Sequence, residues 1–283
     1  MRFAAADPVA APVRLIGMDT GVYTRKQLLQ AGDSDRTIRL AVANGGLRRL
    51  RHGWYATGAA SSQAIEAVLR GGAMSCVSAL RQQGFWIAPG YESFHVRGSK
   101  HLQRAEFCRP AGGPLPVTAA VDSPELALAC AAYCMSDEDW IAVADSYLNR
   151  TGRSVRQLRE MLGETLSPPK RRLLRRCDRR SQSGTESIVR LRLRSLGYTV
   201  VVQPQIPGVG RVDLRIGRLL IECDSKQHHM SLHNYRNDRR RDRSALVNGW
   251  LTMRLTYDDI LFDWPAVLAD IRRITGPRRH RIR

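Results

Sequence analysis

The sequence predicts an α/β protein of the α+β kind, with short strands set between longer helical stretches, and three patterns carry that expectation. Residues 13–58 read as two short capped helices followed by a small basic hairpin. Residues 59–168 read as a mixed, mostly helical connector. From 169 onward the order is helix, strand, tight hairpin, helix, strand, helix, which builds a mixed sheet flanked by helices. With 283 residues, 43% of them hydrophobic, the chain can bury a sizeable core in two or three domains.

In the first region Thr24 caps a helix from Arg25 to Ala31, which Gly32 ends, and Ser34 caps a second helix that stops near Asn44-Gly45-Gly46. Leu47-Arg48-Arg49-Leu50 and Gly53-Trp54-Tyr55-Ala56, separated by Arg51-His52, form the hairpin. This is a winged helix-turn-helix, and residues 1–58 are taken as that domain. In such a fold the second helix enters the major groove of DNA. Asp35, Arg36, Thr37 and Arg39 then approach bases or phosphates, while Arg48, Arg49 and Arg51 track the backbone. Small helix-plus-hairpin units also mediate protein contacts, so this pattern alone leaves the partner open.

The connector, 59–168, says least. Asp122-Ser123-Pro124-Glu125 is a helix start that feeds the apolar run Leu126–Met135, and further helices are expected from Asp137 to Leu148 and from Ser154 to Leu162. Cys130 and Cys134 lie one helical turn apart with no histidine or acid at ligand spacing, so both read as core. Ser167-Pro168-Pro169 breaks the pattern and opens a basic run to Arg180, which is expected to be a domain boundary or a basic strap over nucleic acid.

The last region carries the chemistry. Helix is expected at about 184–196, strand at about 199–203, helix at about 234–248, strand over Trp250–Thr256, and helix near 264–274. Between the first strand and second helix, Arg211–Ile216 and Leu219–Asp224 flank Gly217-Arg218, a favoured two-residue hairpin turn. Residues whose numbers sum to 435 then face each other, so Asp213 lies opposite Glu222. Alternation puts Val212, Leu214, Ile216, Leu219, Ile221 and Cys223 on one face and Asp213, Glu222 and Asp224 on the other. Like charges opposed across a ladder are destabilising unless a cation lies between them, and a hard dication such as Mg²⁺ takes carboxylate oxygens. The competing reading is a solvated hairpin edge neutralised by Arg211, Arg215 and Arg218. Lys226, His228, His229 and His233 follow closely and favour the metal. Metal, acid, base and a cationic group are the parts of metal-assisted phosphodiester hydrolysis.

Glu186 sits in the first turn of its helix on a stripe with Val189, Leu193 and Leu196. Ser183-x-x-Glu186 also matches a capping box, and the two roles can coexist. The acids and arginines from Asp238 to Arg243 read as a solvated, self-paired helix face. Arg254, on a strand among apolar neighbours, is expected to point inward and serve phosphate.

Two resemblances follow from these residues. Gly21–Leu28, Ala31-Gly32, Gly46–Arg49 and Gly53–Ala56 look like the N-terminal winged helix of AbiEi-type antitoxins of type IV toxin–antitoxin systems. That implies DNA binding, often autoregulatory. Glu186, Asp213, Glu222-Cys223-Asp224, His228-His229, Asp238–Asp242, Gly249-Trp250 and Arg254 resemble the Vsr-like endonuclease domain, a branch of the PD-(D/E)XK superfamily, over residues 169–283. This resemblance implies a restriction-endonuclease-like fold. It also implies that Asp213, Glu222 and the backbone carbonyl of Cys223 hold Mg²⁺ (or Mn²⁺), with Glu186 assisting. The superfamily's usual lysine is replaced by Asp224. Its role then passes to Lys226 or a histidine, with His229 favoured over His228 as base, or is lost.

Charge agrees with a polyanionic partner. The formal net charge is +19, and residues 169–283 hold 26 basic against 11 acidic side chains. Arginine supplies 41 of the 45 basic residues, a bias that genome base composition alone can produce, but its concentration in one region is harder to dismiss. Six cysteines without a CxxC pair argue against a structural zinc module and, with no secretory signal, for a cytoplasmic protein. The longest apolar run, ten residues, is too short for a bilayer. The expectation is therefore a cytoplasmic Mg²⁺-dependent DNA endonuclease with a winged helix. A cognate toxin or repair protein is a further partner the resemblances allow, as is a homodimer. The alternatives are a non-enzymatic antitoxin-like repressor with a degenerate nuclease fold, and a nuclease that acts on RNA.

Overall fold

The computed structural model describes residues 19–99, 102, 104–223 and 232–276, with backbone only over 232–238. The chain is of the α+β class, as expected. In the first region Val22–Thr24 (β1), Arg25–Gln30 (α1), Asp35–Ala43 (α2), Arg48–Arg51 (β2) and Trp54–Ala56 (β3) form a helix-turn-helix followed by a wing, with sheet order β1-β3-β2. Thr24 and Ser34 cap their helices as the sequence suggested, each accepting the N–H of the third helical residue, and the side chains of Gln27 and Thr37 complete capping boxes. The next helix, Ser62–Leu69 (α3), seals this unit. Ala64 and Val68 pack on Val22 and Ala56, while Ala67 on the same helix belongs to the next core.

The middle region pairs Gly72–Met74 (β4) with Val96–Gly98 (β5) and surrounds them with Cys76–Gln82 (α4), Pro124–Ala131 (α5), Asp137–Thr151 (α6) and Val155–Leu162 (α7). Ser123, not Asp122, caps α5. Asp122 turns inward, where Arg97 of β5 clamps it with two hydrogen bonds of 2.6 and 2.8 Å and also donates to the carbonyls of Leu115 and Pro116. The proline pair does not break the chain. Pro168–Leu173 (α8) starts on those prolines, whose missing N–H groups a helix start does not need, and Leu173 and Leu174 are buried in the middle core.

Gly184–Ser195 (α9) lies against α6 and ties the last region to the middle one. A Cβ on Gly184 would lie 2.0 Å from the Trp86 ring, so only glycine lets the start of α9 approach so closely. Val201–Val202 (β6), Gln205–Ile206 (β7), Gly210–Arg211 (β8), Leu214–Ile216 (β9) and Leu219–Cys223 (β10) follow. Leu232–Val247 (α10), Leu251–Leu255 (β11), Tyr257–Leu261 (α11) and Trp264–Thr275 (α12) complete the fold. The main sheet has the order β11-β10-β9-β6, with β10 and β11 parallel and the other pairs antiparallel. Leu214, Ile216, Leu219 and Ile221 bury one face against Ile188, Val189 and Leu193 of α9 and against Val267 and Ile271 of α12. Each such side chain contributes roughly 1.5–3 kcal/mol. Leu220 buries the other face against Ala245 of α10.

Candidate functional site: a carboxylate cluster where α9 meets β10

The hairpin register is the expected one: Ile216 faces Leu219, Arg215 faces Leu220 and Leu214 faces Ile221, with Gly217 at φ +55° in the turn. One step further, the Asp213 N–H donates to Glu222 Oε2 at 3.3 Å, which sets the two acids across from each other. Alternation fails at Val212. The chain bends at Asp213, between β8 and β9, and the Val212 N–H donates to Pro204 O, so Val212 packs with Leu220 under α10 instead of with Leu214.

Three elements deliver three acids. Glu186, only 3% exposed, projects from the first turn of α9. Its N–H is capped by Ser183 Oγ, half of the expected capping box, but its carboxylate accepts the Gln182 N–H and so leaves the cap for the site. Asp213 Oδ2 accepts the Cys223 N–H at 2.8 Å, which couples it to the end of β10. Gln203 lies between: its side-chain amide donates to Glu186 Oε2 at 2.8 Å and to Asp213 Oδ1 at 3.0 Å. It does so from φ +51°, one of two positive-φ non-glycine residues among the described residues, ahead of Pro204. Strain of this kind, about 1–3 kcal/mol, persists where the surroundings impose it and collects at working sites. No sequence pattern marked Gln203.

Burial and the neighbouring Asp213 charge raise the Glu186 carboxyl to about 7. The same two causes, in the same order, raise Glu222, while Arg241 opposes them. Arg241 corrects another expectation. The helix face from 238 to 243 is not only self-paired: Arg239 does pair with Asp242, but Arg241 of α10 donates to Glu222 Oε1 at 2.7 Å and to the carbonyls of Val209 and Arg211. Arg254 is also placed differently from its expectation. It neighbours Glu222 in the β10–β11 register, yet its side chain is 40% exposed and pairs with Asp242, because the apolar partners of β11 lie on the opposite face. Asp224, Lys226, His228, His229 and His233 lie outside the residues whose side chains are described, as does Asp238.

No protein-family model matches the chain, and no curated protein matches it. Its chemistry is therefore read from the site.

On the N-terminal unit, Arg36, Arg39, Arg48 and Arg49 are exposed, with Arg36 and Arg39 on one helix face by their spacing. Other residues expected on DNA are already engaged. Asp35 is held by Arg25 at 2.7 Å, Thr37 completes the α2 capping box, and Arg51 donates to Val68 O, fastening the wing to α3.

Spacing in the sequence does not reveal one side-chain cluster. Cys130 is core, as expected, but Cys134 meets Cys76, His95 and Cys108, and the potential ligand atoms of these four residues all lie within 4.8 Å of one another. Among the described residues, no helix is long and apolar enough to cross a membrane.

Proposed function

We propose that the chain is a metal-dependent DNA endonuclease whose reaction centre is Glu186, Asp213 and Glu222. The observation that carries this reading is the convergence of three acids, from a helix start, the bend before β9 and strand β10, with burial and a neighbouring charge raising one of them to about 7. Glu222 is paired with Arg241, but Glu186 and Asp213 crowd together beside it. The donor set fits a hard dication, since Asp213 and Glu222 offer carboxylate oxygens beside the Cys223 backbone. Those three residues would hold Mg²⁺ or Mn²⁺, which supplies charge neutralisation at a scissile phosphate and acidifies water.

The chain's own groups do the rest. Gln203 fixes Glu186 and Asp213 relative to each other, and the Cys223 N–H locks the Asp213 carboxylate. Glu186, poised at about 7, takes or returns a proton at its carboxylate near neutral pH. Arg241, anchored on two backbone carbonyls, holds Glu222 and brings positive charge beside the acids. The exposed arginines of α2 and the wing supply phosphate contacts that bring DNA to the protein.

Plasmid nicking by the full-length protein tests this reading. With Mg²⁺ or Mn²⁺, nicking is expected to appear, to vanish with EDTA, and to fall to background in Asp213→Asn and Glu222→Gln while filter binding of DNA persists. Equal cleavage by the variants overturns it. The exposed arginines favour one second reading, a non-enzymatic repressor. That reading predicts tight binding to the chain's own promoter, lost in Arg36→Ala/Arg39→Ala, with no cleavage of DNA or of matched RNA duplexes.

A further inference from the structure

The middle region contains a constellation that the proposed nuclease chemistry does not use. Cys76, His95, Cys108 and Cys134 come from four separate segments: the first residue of α4, the approach to β5, the segment bridged to β5, and the turn after α5. Each segment is anchored by its backbone. The Ser75 N–H donates to His95 O, the Cys108 N–H to Val96 O, and the Cys134 N–H to Ala131 O. The ligand-bearing atoms converge. Cys108 Sγ lies 3.5 Å from Cys134 Sγ and 3.1 Å from His95 Nδ1. A tetrahedral zinc site with bonds of about 2.3 Å to sulfur and about 2.0 Å to nitrogen has edges of about 3.8 Å between sulfurs and about 3.5 Å between nitrogen and sulfur. The two separations are a few tenths of an ångström shorter than those edges, and all four ligand atoms lie within 4.8 Å of one another.

Two further features select a metal over a chance cluster of thiols. Ser93 Oγ lies 2.9 Å from His95 Nε2, on the far side of the ring from the cysteines. A partner there orients a ligating imidazole and leaves Nδ1 to the metal. Cys76 takes φ +54°, a conformation costly for a side-chain-bearing residue, at the point where it carries its thiol to the cluster. Cys130 and Cys177 do not belong to the group.

We infer that Cys76, His95, Cys108 and Cys134 form a structural, four-coordinate zinc site that pins the segment around 108 to α4, β5 and the end of α5. Three thiols and one imidazole leave no coordination position for substrate, which marks a structural site and not a catalytic one. Binding releases the thiol protons, so affinity falls in acid. The soft sulfur donors also separate this ion from the Mg²⁺ expected at the carboxylates, so either assignment stands or falls without the other.

The test uses the full-length, untagged protein purified without chelator. Elemental analysis is expected to find about one zinc per chain. Exchange with Co²⁺ is expected to produce a thiolate-to-cobalt charge-transfer band and the intense visible bands of tetrahedral cobalt. Cys134→Ser and His95→Asn should abolish the bound ion, and Ser93→Ala should weaken it about 10-fold or more. Cys177→Ser and Asp213→Asn should leave it in place. Wild-type protein that holds no zinc and gives no cobalt–thiolate band overturns the inference whatever the variants do. So does retention of stoichiometric metal by Cys134→Ser, or a Cys108–Cys134 disulfide in metal-free protein.

Discussion

This chain buries acids in two ways. In the middle region Asp122 and Asp145 each face a guanidinium. Arg97 grips Asp122, and Asp145 accepts from Arg190 at 2.5 Å, from Ser187 Oγ and from the Asp178 N–H, with Arg190 and Asp145 side chains 0% and 1% exposed. In the first turn of α9, the helix that also carries Ser187 and Arg190, Glu186 instead faces Asp213 and a neutral amide. Burial lifts both acids. At Asp145 the Arg190 charge and the hydrogen bonds oppose that lift, whereas at Glu186 the Asp213 charge adds to it. Asp145 is thus neutralised by a buried cation, whereas Glu186 is crowded by a second carboxylate.

The largest test of this contrast removes one partner at each place. Asp145→Ala leaves Arg190 charged in the interior, which costs about 3–5 kcal/mol, and denaturant unfolding should show that loss. Glu186→Gln keeps the shape and discards a crowded charge, so the same measurement should show no loss at pH 8. A large destabilisation by Glu186→Gln would make that acid as structural as Asp145.

The next effect depends on pH. A carboxyl whose folded value lies near 7 and whose ordinary value is 4.5 keeps its proton in the folded protein after the unfolded chain has lost it. Stability therefore falls as pH rises between these values; the cost is absent below 4.5 and complete above about 7. The gain from Glu186→Gln should grow over that interval in melts at matched pH. Over the same interval Glu186 gains the ionised form that can take up a proton, so cleavage should rise with pH. Glu186→Gln should flatten that limb of the pH–rate profile.

The smallest effect concerns Gln203. Gln203→Gly relieves its positive φ but deletes the amide that spans the two acids. Melting temperature should move by only a few degrees, since about 1 kcal/mol of relief opposes two lost hydrogen bonds, while cleavage falls about 10-fold or more. Unchanged cleavage would mean that Gln203 positions nothing.

What the sequence made legible was local. Gly217-Arg218 sets a two-residue turn, and from that turn the register follows, so Asp213 and Glu222 could be placed opposite each other by counting. Caps at Thr24, Ser34, Ser123 and Ser183 marked their helices for the same reason: cap and N–H are three residues apart. What stayed hidden depends on distant partners. Arg241 reaches Glu222 across 19 positions, and an alternating helix sequence does not say which arginine turns inward. The bend that sends Val212 under α10 comes from the contacts of β7 and β8, a pairing too short to leave a pattern. Cys76, His95, Cys108 and Cys134 lie in four segments with no paired spacing, so their meeting is a product of packing alone.

The Asp145–Arg190 bond spans 45 residues, and Leu173, Leu174 and Leu191 fill the interior that begins with α4. During synthesis, Asp145 emerges from the ribosome well before Arg190, and the core around it stays unfinished until α9 has been translated. The two later regions thus mature together, and a stalled ribosome between them would leave a nascent chain with an unpaired acid and an open apolar cleft, the state that chaperones recognise.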